Sequence, residues 1–147
     1  MSELGHVVFY VRNLARSQQF YQNIVGLQKV AKLFNGKAVM LSGGRTHHEL
    51  LLIEVGEAPG PAQGKRIGLY HVGWKLGDSL EQLRRAKQRI EREGGRIDAM
   101  ADHGISHSLY LHDPDGNEVE LYVDNPDCNW RQDSSWLQMP VRPLLLE

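Results

Sequence analysis

Two stretches of this chain open on a histidine and then share one layout: His6-Val7-Val8-Phe9-Tyr10-Val11-Arg12-Asn13 and His71-Val72-Gly73-Trp74-Lys75-Leu76-Gly77-Asp78. Each runs from the His through an alternating strand to an Asn or Asp fit to cap a helix. Successive side chains point to opposite faces of a strand. Val7, Phe9 and Val11 therefore share one face of the first stretch, and His6, Val8 and Tyr10 the other. In the second, Val72, Trp74 and Leu76 lie opposite His71, Gly73 and Lys75. Both imidazoles stand on the face that their strand does not use for its main apolar stripe. Two such units related by a pseudo-twofold would point both into one cleft, which is the start of a metal site.

A third donor comes late in the chain. In Glu118-Val119-Glu120-Leu121-Tyr122-Val123, alternation sets Val119, Leu121 and Val123 against a core and turns Glu120 the other way, with Glu118 and Tyr122. His6, His71 and Glu120 together form a two-His-one-carboxylate set, which suits oxygen-activating iron(II) because it leaves coordination positions open. Taken singly, a His at a strand start is more often an ordinary hydrogen-bonded residue. The repeated context of two of them argues for more. Other polar residues could handle protons: His103 in Asp102-His103-Gly104-Ile105-Ser106-His107, Tyr110 in phase with Ser106, Ser108 and His112, and His47-His48-Glu49 at the start of a strand. The bland alternative for these is a sheet face wetted by solvent.

The elements that must position these groups repeat as well. A strand over 4–11 leads to Asn13 as cap of a helix over 14–25, with Gly26 as its stop. Strands follow over 27–34, 37–42 and 47–55, the first two joined at Asn35-Gly36, whose residues accept positive φ. Residues 57–67 are rich in Gly, Pro and Ala and read as a linker. The second half gives a strand over 68–76, a helix from Asp78 or Ser79 to about Glu93, and strands over 96–101, 106–112 and 118–123. Asp113-Pro114-Asp115-Gly116 is the turn before the last of them. Each half thus reads βαβββ, an α+β class. The expected fold is one domain over 1–124, with modules over about 1–56 and 68–124 forming a curved mixed sheet around a metal-binding cleft. The tail, 125–147, carries Trp130, Trp136 and Leu144-Leu145-Leu146 and receives no firm element. It packs across the domain or onto a second subunit.

Composition narrows the function classes. Of 147 residues, 41% are apolar and 24% charged, ordinary for a globular domain. Seventeen basic and eighteen acidic side chains nearly cancel, and no basic stripe appears, so nucleic acid and anionic membrane are poor partners. The N-terminus lacks a signal-peptide pattern, and no stretch reaches transmembrane length. A lone Cys128 excludes an internal disulfide and fits a reducing cytoplasm, the expected location. It sits in no thiolate-activating pattern.

The stretch His103–Glu120, with His103, Leu109-Tyr110, Asp113-Pro114-Asp115-Gly116 and Glu120, resembles the signature of type I extradiol dioxygenases. These belong to the vicinal oxygen chelate superfamily, with glyoxalase I and the bleomycin and fosfomycin resistance proteins. The paired modules, Gly5-His6 and Leu69-Tyr70-His71-Val72 are similar to that superfamily too. The resemblance covers residues 4–124. It departs at Ala101, where the signature usually has another residue, and in size, since many members have four modules. It implies that His6, His71 and Glu120 bind Fe(II), with Mn(II) accepted by the same ligand types. It implies that His48 is the acid-base His, accepting one proton of a catechol-type diol and later returning it. His103 and Tyr110 would hydrogen-bond the diol or its ring-opened product. The substrates implied are an aromatic diol and O2, and a homodimer is expected on general grounds.

Two other readings share this fold. A glyoxalase-like isomerase would add a fourth ligand, a carboxylate such as Glu49, and use Ni(II) or Zn(II) without oxygen. A drug-sequestering resistance protein would lack the metal set. His48 and Glu49 are neighbours, so a regular strand turns only one of them inward; His47 is a further candidate. His48 inward favours the dioxygenase, Glu49 inward the isomerase.

Overall fold

A computed structural model describes residues 1–147. The chain is α+β and divides into two compact units, one of Met1–Arg66 with Asp113–Gly116, the other of Ile67–His112 with Asn117–Glu147. The strands form two mixed sheets, of four and five strands, in keeping with the α+β class and paired modules expected from the sequence.

In the first unit, β1 (Val7–Val11), α1 (Leu14–Phe20), β2 (Gln28–Leu33), β3 (Ala38–Ser42) and β4 (Leu50–Glu54) follow in that order. The sheet order is β1-β4-β3-β2, with β1 and β4 parallel and the other pairs antiparallel. Asn13 caps α1 as expected, its side chain accepting from the Arg16 amide at 2.9 Å. The helix is regular only to Phe20. Tyr21–Val25 form a π-helical turn in which the Tyr21 carbonyl accepts from both Gly26 and Leu27, and Gly26 ends it at φ 98°. Leu14, Phe20, Tyr21 and Ile24 from the helical segment and Val39, Leu41, Leu50 and Leu52 from the sheet are buried.

The turn Asp113–Gly116 is closed by the Gly116 amide on the Asp113 carbonyl at 3.0 Å. It is held by long-range polar contacts that its sequence does not announce. Arg12 donates through Nη1 to Asp115 Oδ1 at 3.0 Å, and the buried Tyr21 hydroxyl donates to Asp113 Oδ2 at 2.8 Å. Burial, then the Asp113 carboxylate, push the Tyr21 phenol well above its usual range. Tyr21→Phe deletes a buried donor to a charged-type acceptor, which costs about 2 kcal/mol. For a chain of this size the expected fall in Tm is roughly 4–8 °C. Scanning calorimetry showing no change would mean that the hydroxyl contributes nothing net.

The second unit runs β5 (His71–Gly77), α2 (Leu80–Arg92), β6 (Ala99–Asp102), β7 (Ser106–His112), β8 (Glu118–Asp124), a 3-10 helix at Ser135–Gln138 and β9 (Arg142–Pro143). Its order is β5-β8-β7-β6-β9, with β5 and β8 parallel. Ser79, not Asp78, caps α2 in a reciprocal box with Gln82. Leu83, Ala86 and Ile90 of α2 share the core with Leu109, Leu111, Val119, Leu121 and Val123. Both units thus carry the βαβββ order read from the sequence. Four strands begin three residues later than expected: those read from residues 4, 47, 68 and 96 start at Val7, Leu50, His71 and Ala99. No helix is long and apolar enough to cross a membrane.

Candidate metal centre

Within the second unit, strand register brings four of the six candidate residues together. β5 pairs with β8 so that His71 lies opposite Glu118 and Gly73 opposite Glu120, while β7 sets Tyr110 opposite Glu120. Val119, Leu121 and Val123 are buried, so the pleat presents Glu118, Glu120 and Tyr122 on the other face, as their alternation requires. His71 Nε2 then stands 3.1 Å from Glu120 Oε2, and His71 Nδ1 2.8 Å from Glu118 Oε2. Glu120 Oε1 accepts from Ser108 Oγ at 2.6 Å and from the Tyr110 hydroxyl at 3.1 Å. The Tyr110 oxygen lies 2.7 Å from His103 Nε2. A consistent proton arrangement has His103 Nε2–H donating to Tyr110 and Tyr110 donating to Glu120. Burial first, then Glu120, push the Tyr110 phenol up to about 12, so it remains a donor at any ordinary pH.

The sequence does not single out two contributors to this cluster. Ser108, buried, shares the parity of Tyr110 and supplies the second hydroxyl to Glu120. Gly73 leaves room for the carboxylate: a Cβ there would lie 3.3 Å from Glu120 Oε2 and from the Tyr122 ring. Parity could have flagged Ser108, but the glycine's closeness depends on the strand pairing alone.

The donor chemistry fits a divalent ion. Two ligand atoms at right angles, each about 2.1 Å from an ion, are separated by about 3.0 Å, close to the 3.1 Å between His71 Nε2 and Glu120 Oε2. Glu118 engages the opposite ring nitrogen, the partner that a metal-bound His ordinarily keeps. Ser108 and Tyr110 occupy only one oxygen of Glu120, leaving the other for an ion.

The first unit holds the remaining candidates. His6 directly precedes β1, and its ring lies 4.6 Å, centroid to centroid, from that of His48 at a tilt of 35°. The His47 ring lies at the same centroid distance from His48. Burial first, then the His47 and His6 rings, lower the His48 pKa, which favours its neutral form. Glu49 is otherwise engaged: its carboxylate accepts from the Gly43 amide at 2.9 Å and the Arg45 amide at 3.2 Å. Burial would raise the Glu49 pKa, but donors from Gly43, Ser42 and Arg45 outweigh it and hold the carboxyl below its usual range. On β4 itself, the residues opposite Val8 and Tyr10 are Leu51 and Ile53, which cannot ligate. Among residues 1–147, no three His, Cys, Asp or Glu side chains are gathered so as to hold an ion.

Residues 3–121 match the Glyoxalase/Bleomycin resistance protein/Dioxygenase superfamily, and the chain belongs to that superfamily. It is 35% identical over 133 residues to a catechol-2,3-dioxygenase of Bacillus subtilis (strain 168), covering 90% of this chain and 45% of the relative. It is 26% identical to a biphenyl-2,3-diol 1,2-dioxygenase of Rhodococcus globerulus, covering 84% of this chain and 63% of the relative. The chain thus spans between about half and two thirds of the length of these relatives. Among solved structures, a glyoxalase/dioxygenase from Nostoc punctiforme superposes with a TM-score of 0.72 at 20% identity, covering 83% of this chain and 90% of that one. That likeness concerns the fold.

Proposed function

We propose that this chain is a ring-cleaving extradiol dioxygenase that uses a divalent metal, Fe(II) or Mn(II), and O2 to open a catechol-type diol. His6, His71 and Glu120 are the ligands in this reading, His48 the acid-base residue, and His103 and Tyr110 the hydrogen-bond donors. One observation carries it: the Glu120 carboxylate is the meeting point of His71 Nε2 and of a Tyr110–His103 hydrogen-bond chain. An isomerase of the same superfamily gives Tyr110 and His103 no task, and its extra carboxylate, Glu49, is spent on the Gly43–Arg45 backbone.

A divalent ion at these ligands would supply Lewis acidity toward the diol hydroxyls and open positions for both reactants. His48, neutral at working pH, takes up the second diol proton and returns it during ring opening. Backed by His103, the Tyr110 hydroxyl turns its single proton from Glu120 to the substrate and stabilises negative charge as it develops on substrate oxygen. The proposed functional form is a homodimer in the cytoplasm.

Oxygen uptake tests the proposal. Anaerobically purified protein loaded with Fe(II) should consume O2 with a panel of catechols and form yellow ring-opened products. No uptake across the panel at full iron occupancy would sink the dioxygenase reading.

A further inference from the structure

Residues 125–147 follow the family-matched stretch 3–121 and take no part in the reading above, yet they fold against the strand and loop that carry His103. Leu144 and Leu146 are buried, and the Leu144 amide donates to the Met100 carbonyl at 3.4 Å. β9 pairs Pro143 with Ala101 and Arg142 with Asp102, covering the outer edge of β6. β6 ends at Asp102, immediately before His103. On the other side of His103, Asn125 grips the loop twice: Nδ2 donates to the Gly104 carbonyl at 2.8 Å and the backbone amide to the Ile105 carbonyl at 2.9 Å. Gly104 has φ +77°, and a Cβ there would stand 3.1 Å from Met139 Sδ, so the thioether rests on bare backbone. Bonds inside the loop, such as the Gly104 amide to Asp102 Oδ1 at 2.8 Å, shape the turn itself. The residues that press it from outside belong to the tail.

We propose that residues 125–147 are a strap that positions His103, with Asn125 and Met139 as the positioning residues. Docked on β6 and on Gly104–Ile105, the strap holds the imidazole where Nε2 meets the Tyr110 hydroxyl. The loop between β6 and β7 is too short to have a core of its own, and a supporting group must be held to within about half an ångström to work. The consequence for turnover rests on the dioxygenase reading; the placement of His103 does not.

The test uses the full-length, metal-free protein and nitrogen NMR of the histidine rings, with His103 assigned by its loss in His103→Gln. Asn125→Ala and Met139→Ala should each lose the hydrogen-bonded His103 Nε2 signal, whereas Leu145→Ala, an exposed site in the same tail, keeps it. Asn125→Asp serves if the alanine variant does not fold, because it retains the oxygen that accepts from the Asp127 amide at 3.0 Å while losing the donor to Gly104. An unchanged His103 signal in the Asn125 and Met139 variants overturns the strap. In iron-loaded protein, the Asn125 change should slow turnover by about ten- to a hundredfold and add nothing in a His103→Ala background. An equal loss in both backgrounds overturns positioning through His103. Loss of the NMR signal without catechol turnover in any form of the protein supports the strap and removes the dioxygenase reading.

Discussion

On the proposed ligand set, replacing Glu120 by Gln should lower affinity for Fe(II) by at least a hundredfold, to go by the roughly 10–100-fold cost of losing even a group that only supports a ligand. Lost charge is only part of the reason. Ser108 and Tyr110 both donate to Glu120 Oε1, so a glutamine must turn its single oxygen toward them. Its NH2 group then takes the place of Oε2, which in the native protein faces His71 Nε2 at 3.1 Å. A donor occupies the spot where an ion needs an acceptor, and it pairs with the imidazole that should be a ligand. The β7–β8 pairing is backbone and is untouched, so the variant should fold. Iron content after anaerobic loading is the measurement. Near-native occupancy would remove Glu120 from the ligand set.

On the proposed mechanism, His48→Ala should give the second large effect: iron stays bound and turnover falls by about a hundred- to ten-thousandfold, the usual range for losing a general acid-base group. The expectation follows from the surroundings of that ring. Its burial and its His47 and His6 neighbours lower its pKa, so at neutral pH it can accept a proton rather than already holding one. Glu49 cannot take over, because it is bound to the backbone of its own loop. Turnover unchanged at full iron occupancy would exclude the acid-base role. Loss of iron would instead make His48 a ligand or a support for His6.

The alternation of β8 was plain in the chain because Val119, Leu121 and Val123 leave only one face for Glu120. The cap at Asn13 was equally legible and that of α2 was narrowed to Asp78 or Ser79, since capping is settled within three residues. The choice between His48 and Glu49 was not. Parity holds only inside a regular strand, and β4 begins after both residues, at Leu50. His48 lies beside His6 and Glu49 folds back on Gly43 for reasons that lie in a bent loop. The tail was unreadable for a related reason: β9 is two residues long, with no period of its own, and exists because β6 offers an open edge.

Taken alone, the order of amino acids determined the repeated βαβββ plan, the face of each strand and the kinds of donor on the polar faces. Those follow from backbone geometry over a few neighbouring residues. Only the tertiary structure decided that Ser108 and Tyr110 share one oxygen of Glu120, that Gly73 makes room for it, and that Tyr21 and Arg12 hold the turn at Asp113–Gly116. Such contacts join residues as far apart as 103 positions. Their partners are selected by strand register and packing of the whole unit, which no local pattern encodes.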